Sequence, residues 1–192
     1  MKKVELRTER LLLRVPVVAD VEQIATACQD PDIQRWVPIP VPYNETDALS
    51  YVRDYSDRGW VSGNCCTWAI VHDGHFAGAI GLDGIAGEEP TIGYWMAPAS
   101  RRNGLLSEAL PAVLDFGMSA AAPHGLGLNR VRWHAYAGNS ASARIAQRAG
   151  FRFEGTIRDG ATDRSGVVDD WVASIQRGDA LTEHPWPILS GV

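Results

Sequence analysis

The stretch Thr91-Ile92-Gly93-Tyr94-Trp95-Met96-Ala97-Pro98-Ala99-Ser100-Arg101-Arg102-Asn103-Gly104-Leu105-Leu106-Ser107-Glu108-Ala109 has the residue types and spacing to bind an anion. It reads as a strand that ends, a turn bearing arginine and glycine, and a helix that begins. Such a turn directs several unpaired backbone N–H groups at one spot, backed by the positive end of the helix. A pyrophosphate suits that spot. Gly104 allows a conformation or close approach that a side chain would block, and Arg101 and Arg102 add charge-assisted contacts. By itself, a glycine near a helix start is as readily an ordinary turn.

A second stretch runs from Asn139 through Ser140, Ala141 and Ser142 to Arg148-Ala149-Gly150-Phe151. A strand ends at Asn139, a short helix follows, and Gly150-Phe151 opens another strand. Asn139 and Ser142 are three apart, which alone is satisfied by a helix N-cap. His134, on the strand before them, is the one side chain there whose ordinary titration falls near neutrality. An isolated strand histidine is more often structural. Asp83, Glu88, Glu89, Tyr94 and Asp169 complete the set of proton acceptors to consider. Glu88 and Glu89 sit in a turn, where solvated charge is the default. Cys28, Cys65 and Cys66 have no CxxC or Cys/His spacing, so neither a disulfide framework nor a metal is expected. The Cys65-Cys66 pair lacks the context of a thiol nucleophile.

The elements that must position these residues follow from periodicity. Leu11–Val15 reads as a strand stopped by Pro16. Asp20 with Gln23 suggests a capping box for a helix through Ile24 and Cys28, ending near Asp30-Pro31. Three alternating prolines make Trp36–Tyr43 an extended loop. A helix from about Thr46 has Leu49, Val52 and Tyr55 as its expected inner face. Asp73-Gly74 between apolar runs predicts a hairpin of Thr67–Val71 with Phe76–Gly81. Thr91–Met96 is the fourth strand, and a helix from about Asn103 to Ala122 contains Pro111, where a bend is expected. Val131–Ala137 is the fifth strand, a helix over 140–149 follows, and strands begin at Phe151 and Val167. The tail with Pro185 and Pro187 reads as irregular. The order is that of an α+β fold with a mixed, mostly antiparallel sheet flanked by about four helices.

Composition sets the outer limits. The chain has 192 residues, 45% hydrophobic and 21% charged, with 18 Lys+Arg against 23 Asp+Glu and a formal charge of -5. These proportions exclude a disordered chain or coiled coil and indicate one domain over residues 1–192. The acidic balance argues against nucleic acid as a direct partner and mildly favours cationic ones. The charged N-terminus is unlike a signal peptide, and no apolar run suits a membrane span. A soluble, cytoplasmic protein is expected.

The two stretches, in this order, resemble the GNAT superfamily of acyl-CoA-dependent N-acetyltransferases, especially its RimJ/RimL-type branch. That family's Gln/Arg-x-x-Gly-x-Gly/Ala turn falls on Arg101 to Leu106, and its Asn-x-x-Ser helix with Gly-Phe on Asn139, Ser142 and Gly150-Phe151. Further matches are Thr8-Glu9-Arg10-Leu11-Leu12-Leu13-Arg14, Ile92-Gly93-Tyr94-Trp95 and Asp170-Trp171, so the resemblance spans about residues 6–177. Leu106 stands where a small residue is usual, and Thr91 where many relatives carry Glu.

The resemblance implies a GNAT fold whose sheet splays between its fourth and fifth strands, with acetyl-CoA as co-substrate and no metal. The implied cofactor-binding residues are Met96, Ala97, Arg101, Arg102, Asn103, Gly104, Leu105, Leu106, Ser107, Asn139 and Ser142. A backbone N–H near Met96 or Ala97 would face the thioester oxygen. Ser142 would serve the departing thiolate, Asn139 the pantetheine amide, and His134 is a candidate base. Trp36, Tyr43, Asp83 and Tyr94 are candidates for the amine acceptor. Trp68, Trp95, Trp133 and Trp171 are assigned to the core. Relatives often pair into homodimers, an option that extends to this chain.

Acceptor chemistry decides how much base is needed. About a tenth to a fifth of α-amino groups are neutral near pH 7, against about one lysine in 2,500. An α-amine acceptor as in RimJ/RimL, a small-molecule amine on the same scaffold, and a non-catalytic acyl-CoA binder are the readings to separate. Use of aminoacyl-tRNA as acyl donor fits poorly with a chain lacking a basic stripe.

Overall fold

The computed structural model describes residues 1–87, 89–120 and 125–190. Eight strands, β1 Leu6–Arg7, β2 Leu11–Arg14, β3 Cys66–His72, β4 His75–Asp83, β5 Thr91–Met96, β6 Arg130–Tyr136, β7 Arg152–Asp163 and β8 Gly166–Gln176, join in one sheet of order β1-β2-β3-β4-β5-β6-β8-β7. All neighbours are antiparallel except β5 and β6. The helices are α1 Val21–Ala27, α2 Pro31–Trp36, α3 Glu45–Ser50, α4 Arg58–Ser62, α5 Leu105–Met118 and α6 Ser140–Arg148. A π-helical stretch, Tyr51–Asp57, joins α3 to α4. No helix among the described residues is long and apolar enough to cross a membrane.

Alternation along the strands sends side chains to two cores. On β3, Trp68 and Ile70 join Leu106, Leu110 and Val113 of α5, whereas Ala69 and Val71 join Ile24 of α1 and Ala48 of α3. Each leucine fully buried on α5 contributes about 1.5–3 kcal/mol relative to exposure. The Asp73-Gly74 turn has positive φ at both residues, 50° and 80°, as the hairpin requires.

The structure departs from the sequence reading at four points. Asp20 does not cap α1: its carboxylate takes two 2.7 Å bonds from Arg14 and one from the Val17 N–H, while Gln23 accepts from the Phe76 N–H. A nearby guanidinium outcompetes a helix end for a carboxylate. α2 was not expected, although Asp30 caps it by accepting from the Ile33 N–H and Pro31 starts it. With Ile33 as its one buried residue it shows no apolar stripe to read. The inner face of the α3–α4 body is Ala48, Val52, Ser56 and Trp60, and Tyr55 is exposed. A four-residue repeat drifts roughly 40° per step on an α-helix, and the wider π turn keeps it on one side. Finally, the tail is irregular as expected up to a short 3-10 turn at Pro187–Leu189, but it is built into the core. Trp186 is fully buried against Trp133 and Phe153, its indole N–H bonded to the Phe151 carbonyl. α5 runs through Pro111 to Met118; Ala121 and Ala122, placed at its end by the sequence, lie outside the described residues.

Candidate active site

β5 and β6 pair only at Thr91 with Arg132 and Ile92 with Trp133, whereas β6 stays paired to β8 along its length. Beyond Ile92 the sheet parts, between the fifth and sixth strands and not the fourth and fifth, because the two-residue β1 precedes the first strand read from the sequence. The Ala97 N–H donates to the Ala77 carbonyl at 2.9 Å, which fixes the parity of β5. Residues 93, 95 and 97 turn their backbone groups to β4, and Tyr94 and Met96 turn theirs into the gap. The Ala97 N–H, a candidate for the thioester oxygen, is thereby occupied; the Met96 N–H is the group that faces the opening.

On one side of the gap lies a cavity of about 700 Å³. Of the expected cofactor residues, Met96, Arg101, Arg102, Gly104, Leu105, Leu106, Ser107, Asn139 and Ser142 line it, and Ala97 and Asn103 do not. Two left-handed residues shape its turn, Arg102 at φ 63° and Gly104 at φ 73°. Gly104 is the N-cap of α5, and no side chain caps the helix's first N–H groups. Glu108, the acid of that first turn, faces away from the cavity. It accepts from the Arg10 Nε at 2.7 Å, from the Arg10 N–H and from the Thr8 hydroxyl, while Arg10 also donates to the Asn103 carbonyl. Partial burial opposes its charge, but the Thr8 and Arg10 donors prevail and hold Glu108 below the usual glutamate range. Thr8-Glu9-Arg10 thus braces the turn from behind.

Arg101 lines the cavity, but its guanidinium is engaged. It donates to Asp30 at 2.6 Å and to the Met96 carbonyl at 3.3 Å, with Asp32 at 3.5 Å. Burial would raise the Asp30 carboxyl, but Arg101 and the Ile33 N–H outweigh it and hold it below the aspartate norm. Arg101 therefore ties α2 to the turn. Arg144 and Arg148, one helical turn apart on α6, also line the cavity; sequence reasoning missed them, although their i,i+4 spacing after Asn139 puts them on one face.

At the inner end, Asn139 caps α6 by accepting from the Ser142 N–H at 3.2 Å. The Trp133 indole N–H donates to the Ser142 Oγ at 3.1 Å, and the Tyr94 hydroxyl to the Ser142 carbonyl at 2.9 Å. Because the indole fills an acceptor position on Oγ, the Ser142 O–H proton points elsewhere. Trp133, assigned to the core, is there and also in the site. Tyr94, a candidate for the acceptor and for the base, sits instead in the first cavity and anchors α6; burial raises its phenol beyond any role as proton acceptor at neutral pH. Trp36 likewise lines the first cavity rather than an acceptor cleft.

On the other sheet face lies a second cavity of about 850 Å³, lined by Tyr43, Asp83 and His134 among others. The His134 Nδ1 is 2.8 Å from the Asp170 Oδ2, and Asp170 is 7% exposed. The two are diagonal neighbours on β6 and β8, since His134 faces Val172 and Tyr136 faces Asp170. Sequence gave no sign of this pair, which depends on strand register. Of the other candidate bases, Glu89 is paired to Arg132 and Asp169 accepts from the Asp159 N–H. Glu88 lies outside the described residues. Cys28 and Cys66 are buried, which pushes their thiols up to about 12, far from a nucleophile's range.

Comparison with known proteins gives the family and the fold. Residues 10–152 match the acetyltransferase (GNAT) domain family. The chain is 28% identical over 157 residues to the uncharacterized N-acetyltransferase YoaA of Bacillus subtilis (strain 168), covering 80% of this chain and 85% of that protein. It is 24% identical over 176 residues to the uncharacterized N-acetyltransferase p20 of Bacillus licheniformis, covering 88% and 94%. Its fold matches RimL, a ribosomal L7/L12 α-N-protein acetyltransferase solved with coenzyme A, at TM-score 0.78, 16% identity, and 90% and 98% coverage. Mycobacterium smegmatis RimJ, solved with a CoA disulfide, matches at TM-score 0.77, 22% identity, and 91% and 87% coverage. With a splayed sheet, an uncapped helix start at the Arg101–Gly104 turn and a family match over most of its length, the chain belongs to the GNAT acetyltransferases and is an acyltransferase.

Proposed function

We propose that the protein moves an acetyl group from acetyl-CoA directly to a primary amine, the α-amino group of a protein or peptide. The observation that carries this reading is the gap beyond Ile92, with one cavity lined by Tyr94, Met96 and Ser142 and another lined by Ile92, Gly93 and His134. One has an anion-binding turn and the other a histidine–aspartate pair. The residues present fit acetyl-CoA: the free N–H groups of Leu105 to Ser107 and the left-handed backbone at Arg102 and Gly104 suit its pyrophosphate. The backbone N–H and carbonyl of Tyr94 offer a strand edge for the pantetheine arm, the Met96 carbonyl being taken by Arg101.

Each side chain then has a definable task. The Met96 N–H stabilises the charge that develops on the thioester oxygen. The Ser142 O–H, oriented by Trp133, donates to the departing thiolate. Asp170 holds His134 Nδ1, leaving Nε2 to take a proton from the attacking amine. No covalent acyl-enzyme is needed, in keeping with the absence of an activated thiol among the described residues. RimL and RimJ, the structural neighbours named above, support the choice of an α-amino acceptor. The test is a thiol-release assay with acetyl-CoA, using peptides of varied first residue against a panel of small amines. Turnover of free-amine peptides and not of their N-acetylated forms is expected. Coenzyme A binding without turnover on any amine would refute the transfer reading.

A further inference from the structure

The second cavity has an unusual floor. Gly81 of β4 and Gly93 of β5 face each other in register, and a Cβ placed on Gly93 would meet nothing within 4 Å. Gly93 leaves open the space a side chain would fill, whereas a Cβ on Gly81 would lie 3.0 Å from the Cys66 carbonyl oxygen, so a trough runs over Gly93 from the gap at Tyr94 toward Asp83. Tyr51 and Tyr55 wall it from the α3–α4 body. Three carboxylates line it, Asp47, Asp54 and Asp83, with no Lys or Arg among its described lining. Asp54 is paired with Arg58, and Asp47 accepts the Asn44 N–H at the start of α3. Asp83 accepts from the Tyr55 hydroxyl at 3.2 Å and from the Gly84 N–H at 2.7 Å, and has no basic partner among the described residues. Those neutral donors leave its charge uncompensated and its remaining lone pairs facing the trough's end.

Resting on the acetyl-transfer reading, we propose that the acceptor is an extended amine carrying a second cationic group. It lies over the Gly81–Gly93 floor and sets that group against Asp83 and the Tyr55 hydroxyl. Three strand steps separate Tyr94 from Thr91, which faces Asp83, so the two nitrogens are about 10 Å apart. A lysine side chain near a peptide's free α-amine has this reach, and so has a linear polyamine. The Gly93 position keeps the trough open, and the Asp83 charge selects what fills its far end.

The experiment measures kcat/KM by thiol release for matched acceptors. One pair is a short peptide with lysine or norleucine at its second position, the other spermidine or n-butylamine. The member with the second charge should be favoured about tenfold or more in at least one pair, and which pair shows it identifies the source of that charge. Asp83→Asn should collapse that ratio, and Gly93→Val should lower turnover of both members. Calorimetric binding of coenzyme A, unchanged in both variants, shows that they fold. Equal kcat/KM within both pairs, or a ratio that survives Asp83→Asn, overturns the inference while leaving acetyl transfer standing. Absence of thiol release with every amine overturns both.

Discussion

Ser142 and His134 stand on opposite faces of the sheet at one gap, and each is defined by a single neighbour. Trp133 fills one acceptor position on Ser142 Oγ, so removing that oxygen has two effects. Ser142→Ala should lower kcat by roughly tenfold to a hundredfold with acetyl-CoA saturating. It should also lower stability by about 1–3 kcal/mol, since the indole N–H of a 1% exposed tryptophan loses its partner. A kcat equal to wild type would remove the leaving-group role. His134→Ala makes a different prediction, because a base matters most while the acceptor is protonated. Its deficit, about a hundredfold near pH 6.5, should shrink as the pH rises past about 8, where an α-amino group is already neutral. A deficit constant across that range would show that His134 serves structure alone. Both residues were legible in the sequence. Their partners were not, because an indole and a carboxylate reach them through folding and not through spacing.

The start of α5 is the element on which the cofactor reading turns. Gly104 has φ 73°, and a Cβ there would lie 3.7 Å from the Arg10 guanidinium, so a methyl group has room. Gly104→Ala should therefore cost about 1–2 kcal/mol through its left-handed backbone rather than a clash. It should weaken coenzyme A binding measured by calorimetry, because the turn relaxes away from the geometry that gathers its N–H groups. Two ion pairs hold this turn in place, Glu108 with Arg10 and Arg101 with Asp30. Both carboxylates sit lower in the folded protein than when free. Their contribution is thus full above about pH 4.5 and is lost as the pH falls through their depressed values. Glu108→Gln should lower the neutral-pH Tm by about 2–8 °C, from about 1–2 kcal/mol. The difference from wild type should narrow in acid; a gap that stays constant down to pH about 3 would count against the linkage. The turn itself was readable in order from Arg101 to Ser107. The Thr8–Glu108–Arg10 brace was not, since it joins residues 98 and 100 positions apart.

At the scale of the whole molecule, the C-terminal segment closes the site from below. Trp186 packs 5.4 Å from both Trp133 and Phe153, ring centre to ring centre, and Gln147 of α6 donates to the His184 carbonyl. Trp186→Ala should destabilise the protein by about 3–5 kcal/mol, seen as a lower urea midpoint. It should also reduce kcat in the surviving folded fraction, since Trp133 loses the ring that fixes its tilt toward Ser142. Full activity per folded molecule would show that the tail supports the fold only.

What the sequence determined by itself is local: where strands and helices begin, the glycine turn that opens α5, the asparagine that caps α6, and the family to which both belong. These follow from backbone geometry and side-chain periodicity within a few residues, so nearest neighbours in the chain suffice to write them. Tertiary structure alone decided which groups face the gap. Met96 and not Ala97 presents its N–H because the register with β4 sets the parity. Asp170 meets His134 because β8 lies beside β6. Arg101 turns to Asp30 because a helix too short to announce itself, α2, places a carboxylate there. Such contacts join residues distant in the chain, and their energies are won by burial and charge pairing that exist only once the sheet has closed around them.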